Sequence, residues 1–287
     1  MNSLTSGMIA CSLYTAWSHA AVSVSDPSTA WTPMIGEYDY FADQQTGDPA
    51  SDIVGAGINY GMFSTFNDNG SASATDGTLG FRLRLDDRGG NKNVIEFRRN
   101  AWIGIDADMS GSIDVFLGLN LQGNAATLGI FAPGSGTNHS PNKTTVSSTA
   151  YITYALSAAN YDYRPVDYLT DGGTTNDVTP STSGDPDYYV SFMIPFADVV
   201  SFLAGRSIQI NDETPLRYIS ATTTQGNRLN QDLGGVNGGV TSNSAWTDLG
   251  AFTPPATIRG NLIPEPSGSI LMLASLAAGC FIRRRQA

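Results

Sequence analysis

Five oxygen-bearing side chains fall within nine residues, at Asp106, Asp108, Ser110, Ser112 and Asp114, with Gly111 among them. A hard cation such as Ca2+ needs about six to eight oxygens converging on one point, and a glycine allows the sharp turn that brings them together. Asp106, Asp108, Ser110 and Asp114 fill positions one, three, five and nine of a calcium loop, and Ser112 can offer its carbonyl. Position twelve is Leu117, where a bidentate Glu would belong, so the loop is not an EF-hand. The same Asp, Ser and Gly residues also suit a metal-free hairpin turn between two strands. The sequence leaves both readings open.

Two further groups have chemistry to offer. Asp185 and Asp187 flank Pro186, with Asp171 and Asp177 in the preceding loop, where aspartate either joins a cation site or simply forms turns. Tyr151, Tyr154, Tyr161, Tyr163 and Tyr168 are close in sequence; exposed tyrosines stack on sugar rings, and buried ones fill a core. Trp31, Trp102 and Trp246 read as packing residues.

Catalytic chemistry finds few parts. Cys11 and Cys280 lie in apolar terminal segments, so the body between them carries no thiolate and no disulfide. His19 is near the start, leaving His139 alone in a Gly, Ser and Asn run. A Cys/His zinc site cannot be built from this inventory, and no nucleophile elbow accompanies His139. A glycoside hydrolase would need two carboxylates flanking a bond, and no spacing among the acids singles out such a pair. The chain is therefore expected to be non-catalytic.

The elements that must position these residues are strands. Leu79, Phe81, Leu83 and Leu85 alternate with Gly80, Arg82, Arg84 and Asp86; Val115, Leu117, Leu119 and Leu121 alternate with Phe116, Gly118, Asn120 and Gln122. Tyr188, Val190, Phe192 and Ile194 share another face. Residues 101–105, 128–131, 151–156 and 216–221 are shorter candidates. Asp76-Gly77, Gly89-Gly90-Asn91, Ser110-Gly111 and Gly172-Gly173 mark turns. The best helix is short, over residues 196–203, entered after Pro195 and closed by Gly205. Residues 133–148 and 170–187 read as loops, and Pro254-Pro255 as a linker. There is no internal repeat. These features predict an all-β fold: a single antiparallel β-sandwich, jelly-roll or immunoglobulin-like, over residues 21–262, with terminal targeting helices.

The ends carry addresses. Residues 8–20 are apolar and close on Ser18-His19-Ala20, which suits signal-peptide cleavage after Ala20, although the usual basic residue before the apolar run is missing. A lipoprotein reading at Cys11 leaves too little apolar sequence before the cysteine. At the other end, Pro264-Glu265-Pro266 precedes an uncharged run over 268–282 and then Arg283-Arg284-Arg285. As a helix, residues 267–282 span about 24 Å at 1.5 Å per residue, short for a bilayer core of roughly 30 Å unless the arginines snorkel. The arginines favour the cytoplasmic side.

This three-part tail, residues 263–287, resembles the PEP-CTERM sorting signal of Gram-negative bacteria. The resemblance implies an exosortase-type enzyme that recognises Pro264, Glu265 and Pro266, a membrane anchor before processing, and delivery of the body to the cell surface or extracellular matrix. The body has a second resemblance, carried by residues 51–55 (SDIVG), 74–87 (ATDGTLGFRLRLDD), 102–114 (WIGIDADMSGSID) and 184–199 (GDPDYYVSFMIPFADV). It is similar to DOMON-like and family 9 carbohydrate-binding-module-like sandwiches of bacterial surface proteins, which implies association with extracellular polysaccharide.

Charge agrees with such a place of work. The formal charge of the chain is −11; without the three tail arginines and Glu265, 12 basic residues face 25 acidic ones, a body charge of −13. A body of that sign repels nucleic acid and anionic lipid, and either holds divalent cations or stays soluble by self-repulsion. The expected function is an exported, non-catalytic surface or matrix protein associated with exopolysaccharide. The alternatives are a calcium-stabilised structural protein of the biofilm and a carboxylate-dependent hydrolase.

Overall fold

The computed structural model describes residues 21–34, 38–40, 43, 48–71, 73–88, 96–121, 126–134, 145–178, 185–226, 228–238 and 244–259. The leader, the tail with its Pro264, Glu265, Pro266 and Arg283 to Arg285, and the lone His139 lie outside the described residues, as do the expected terminal helices. Among the described residues no helix is long and apolar enough to cross a membrane.

The chain forms two antiparallel sheets with few helices. The five-stranded sheet runs β1 (Thr32–Pro33), β4 (Met62–Asn67), β5 (Thr78–Leu85), β11 (Tyr188–Pro195), β10 (Tyr161–Pro165). The six-stranded sheet runs β13 (Asp232–Leu233), β12 (Arg217–Thr223), β6 (Asn100–Asp106), β7 (Val115–Asn120), β8 (Thr127–Pro133), β9 (Val146–Tyr154). A small ribbon pairs β2 (Tyr38–Asp39) with β3 (Gly55–Ala56).

Period-two alternation creates the interface between the sheets. Leu79, Phe81, Leu83 and Leu85 of β5 and Val190, Phe192 and Ile194 of β11 share one core with Ile103, Ile105, Val115, Leu117 and Leu119 of β6 and β7. Phe81 meets Tyr218 of the opposite sheet with ring centroids 5.6 Å apart. The two sheets therefore pack face to face, as the sequence predicts for an all-β sandwich.

The outer faces are also covered, which the alternation does not predict. Arg82 and Arg84 sit on the outward side of β5, yet both are fully buried. Residues 22–31 lie over Arg82, which donates to Ser28 Oγ and to the carbonyls of Val24 and Asp26 and stacks 4.4 Å from the Trp31 ring centre. On the outward side of the six-stranded sheet, Trp102, Phe116 and Phe131 form a second apolar layer with Leu229, Val236 and Trp246. Gly118 makes that layer possible: a Cβ there would lie 2.1 Å from the Ala101 carbonyl oxygen and 2.9 Å from the Trp102 ring.

Three short helices complete the fold: α1 (Tyr168–Asp171), α2 (Phe196–Ala204) and α3 (Trp246–Leu249). In α2, Phe196, Val199, Phe202 and Leu203 recur at helical spacing and are all buried. Two expectations need correction. Residue 133 and residues 146–148, expected as loop, belong to β8 and β9, because Phe131 and Pro133 of β8 pair with Ala150 and Val146. Pro254-Pro255 is not a free linker: Leu216 and Ala256 exchange backbone hydrogen bonds, and Ala256 and Ile258 lie in the core.

Candidate functional site

The hairpin between β6 and β7 does bring Asp106, Asp108 and Asp114 together, with one carboxylate oxygen from each within 4.8 Å of the others. The chain folds there because β6 and β7 must reverse, and the Asp side chains cap the reversal. Asp106 Oδ1 accepts from the Ser110 amide at 3.0 Å, and Oδ2 accepts from the Gly111 amide at 2.9 Å. Asp108 Oδ1 also accepts from the Ser110 amide, and Asp114 Oδ2 from the Ala107 amide at 2.8 Å. Arg217, from β12, places Nη2 2.5 Å from Asp106 Oδ2. Hydrogen bonding from Ser110 holds the exposed Asp108 carboxyl below the usual range, while burial and the neighbouring Asp108 and Asp106 push Asp114 up. The amide of Ser112 donates to Ser110 Oγ. Ser110 and Ser112 thus serve the turn, and backbone amides and one guanidinium already engage the carboxylates.

A second cluster joins Asp86, Asp177 and Asp187. Two of the loop aspartates expected to act together, Asp177 and Asp187, do meet. The other two go elsewhere: Asp171 binds Arg164 at 2.5 Å, and Asp185 lies 3.6 Å from Arg88. Asp187 Oδ2 accepts from Arg84 Nε at 2.6 Å and from the Val178 amide, while Oδ1 is buried without a hydrogen bond. Burial pushes the Asp187 carboxyl up to about 7 against the pull of Arg84.

A third cluster, Asp43, Asp52 and Asp232, escapes sequence reasoning. Asp39 adjoins it. Ion-pair spacing offers no local signal for this group, since Asp232 is far along the chain from the rest. Four acids over residues 39–52, Asp39, Asp43, Asp48 and Asp52, are the one hint the sequence carries. Asp39 and Asp232 are buried, at 1% and 4% exposure. Burial raises both well above the ordinary carboxylate range; neighbouring aspartates add to the rise, and backbone amides oppose it. Asp43, half-buried, is pushed up to about 6.

The five tyrosines divide among three elements and do not build one platform. Tyr151 and Tyr154 lie on β9 at one sheet edge, Tyr161 and Tyr163 on β10 at the edge of the other sheet, and Tyr168 on α1. Tyr154 donates its hydroxyl to Asp198 Oδ2 at 2.6 Å, tying β9 to α2. Tyr163 stacks on Tyr188 with centroids 5.2 Å apart. Tyr151, 55% exposed, leans on Phe202, and Tyr168 is exposed. Tyr161 lines a cleft of about 650 Å³, together with Phe97 and Leu121 and with Glu96, Arg98 and Arg99 at its rim.

Comparison of the chain with protein-family models, with curated proteins and with solved structures finds no match.

Proposed function

We propose that the protein is an exported, non-catalytic sandwich, of jelly-roll or immunoglobulin-like topology, sorted by its PEP-CTERM-like tail and associated with extracellular polysaccharide. The observation that carries the binding half of this proposal is the cleft at Tyr161. Its volume of about 650 Å³ falls within the roughly 300–1,000 Å³ of ordinary ligand sites. Tyr161 and Leu121, backed by the buried Phe97, give the cleft an aromatic and apolar lining, and Glu96, Arg98 and Arg99 offer partners for hydroxyls and carboxylates. Arg99 is steadied by Asp48, with Nε 2.5 Å from Oδ2, and Arg98 by Glu96 at 3.1 Å.

Retention of the full-length chain on immobilised exopolysaccharide tests the proposal. Tyr161→Ala should weaken retention roughly five- to a hundredfold, taking the stacking of a planar base on one aromatic ring, on the order of 1–3 kcal/mol, as the guide. A wild-type chain that passes through every uronic-acid-bearing and neutral polysaccharide column would remove the binding half and leave the sorting tail as the sole functional signal.

A further inference from the structure

The cluster around Asp232 is built from distant parts of the chain. Asp39 lies on β2, Asp43 just after it, Asp52 beside the 3-10 turn Pro49–Ser51, and Asp232 on β13. The segment holding the first three crosses between the sheets: Ile53 bridges to Leu85 of β5, and the Thr222 hydroxyl of β12 donates to the Ser51 carbonyl. Backbone amides reach three of the carboxylates. Gly235 donates to Asp39 Oδ1 at 2.7 Å, Gly238 to Asp43 Oδ2 at 3.2 Å, and Ile53 to Asp232 Oδ2 at 2.7 Å.

These contacts leave acceptors over. Asp39 is 1% exposed, and its Oδ2 has no hydrogen-bond partner; Asp43 Oδ1 is likewise buried and unpartnered. Asp39 Oδ2 lies close against Gly61, where a Cβ would stand 3.0 Å from it. Asp39 is also the carboxylate that repels Asp232 most, ahead of Asp52 and Asp43. A buried carboxylate oxygen without a donor, on a side chain beside other aspartates, costs desolvation and repulsion together unless a proton or a cation relieves it.

The geometry suits that cation. One oxygen each from Asp43, Asp52 and Asp232 lies within 4.8 Å of the others. Calcium–oxygen bonds of about 2.3–2.6 Å can span such separations, and Ca2+ accepts irregular cages of carboxylates and carbonyls. The ligand set is oxygen alone, which excludes a preference for soft metals. Half-exposed Asp43 gives the ion a way in.

We propose that Asp39, Asp43, Asp52 and Asp232 hold a calcium ion that fastens β2 and residues 48–53 to the segment 232–238. The ion supplies the positive charge that binds the crossing segment to the end of the six-stranded sheet. It acts on the architecture and is independent of the polysaccharide cleft.

The test uses the full-length chain, stripped with EGTA and titrated with calcium chloride alone, by calorimetry and thermal melting. Saturable heat is expected, with Tm rising by about 5–10 °C at a hundredfold excess over Kd. Asp39→Asn and Asp43→Asn should each weaken binding at least tenfold, whereas Asp108→Ala in the hairpin should leave it unchanged. Should Asp39→Asn fail to fold, Asp43→Asn carries the test, because its side chain is half-exposed and its loss leaves no buried cavity. Wild-type chain showing neither heat nor a Tm shift would overturn the proposal. So would undiminished binding by Asp43→Asn, or loss of binding in Asp108→Ala alone.

Discussion

The hairpin Asp106–Asp114 and the cluster Asp39–Asp43–Asp52–Asp232 contain nearly the same chemistry and have opposite solutions for it. In the hairpin, carboxylates and backbone amides come from one short stretch of chain. The turn that gathers the acids also aims the amides of Ala107, Ser110 and Gly111 at them, and Arg217 adds a positive charge. In the dispersed cluster the acids arrive from four places, and the amides that reach Asp39, Asp43 and Asp232 come from Gly235, Gly238 and Ile53, with no guanidinium paired to these three among the described residues. Local clusters can satisfy themselves, while assembled clusters depend on something from outside. The motif that looks most like a metal loop in sequence is therefore the one with the least need of a metal.

The largest effect expected from this contrast is at Asp106. Asp106→Ala removes the partner of Arg217 and strands the Gly111 amide, while the Ser110 amide keeps Asp108. It should cost about 3 kcal/mol in urea denaturation, equally with EGTA and with calcium. Rescue of the wild-type value by calcium would erase the distinction between the two clusters.

Asp187 comes next, because its cluster is intermediate: it owns a guanidinium, Arg84, and still keeps a buried oxygen without a hydrogen bond. Its folded pKa of about 7 lies above the unfolded value. Its contribution to stability is thus fully present below about pH 4 and is lost as pH rises through 7. Stability should fall between about pH 4 and 7, and Asp187→Asn should flatten the fall by on the order of 2 kcal/mol. A variant with the wild-type slope would mean that Arg84 compensates Asp187 as fully as Arg217 does Asp106. The smallest effect is at Gly111, with φ at +83° and space for a Cβ only 2.9 Å from Thr247 Cγ2. Gly111→Ala should cost about 1–2 kcal/mol, measurable as a Tm decrease with no change in calcium response.

Legibility in the sequence followed locality in the same way. β5, β7 and β11 show in the alternation of apolar residues because one face of each meets the opposite sheet. β4 does not show, because Met62 and Phe66 face one core while Phe63 packs into another, so apolar residues stand on both sides of the strand. The polar start of β9, Ser147-Ser148-Thr149, reads as loop because an edge strand with an exposed side needs no apolar residues there. Arg82 and Arg84 look like solvent-facing residues; their burial depends on residues 22–31 and 166–178 folding over them, a long-range event that no period reveals. Among the site residues, the Asp106 loop was visible as a unit and Asp177 with Asp187 as a group, whereas Asp39, Asp43, Asp52 and Asp232 are joined only by topology. Tyr161 is reached by its residue type, but its separation from Tyr151 and Tyr154 depends on β9 and β10 lying in different sheets.

The pairing of β5 with β11 sets the order in which the molecule can be assembled. Strands β6 to β9 pair each with the next, so this meander can close as soon as those residues are free of whatever holds them unfolded. β5, made earlier, must wait for β11, about a hundred residues later, before its second edge is covered. The crossing segment waits longer still, until residues 232–238 arrive. A chain that emerges from its N-terminus onward can therefore pair β1, β4 and β5 and then close the β6–β9 meander, while the second edge of β5 stays open until β11 arrives.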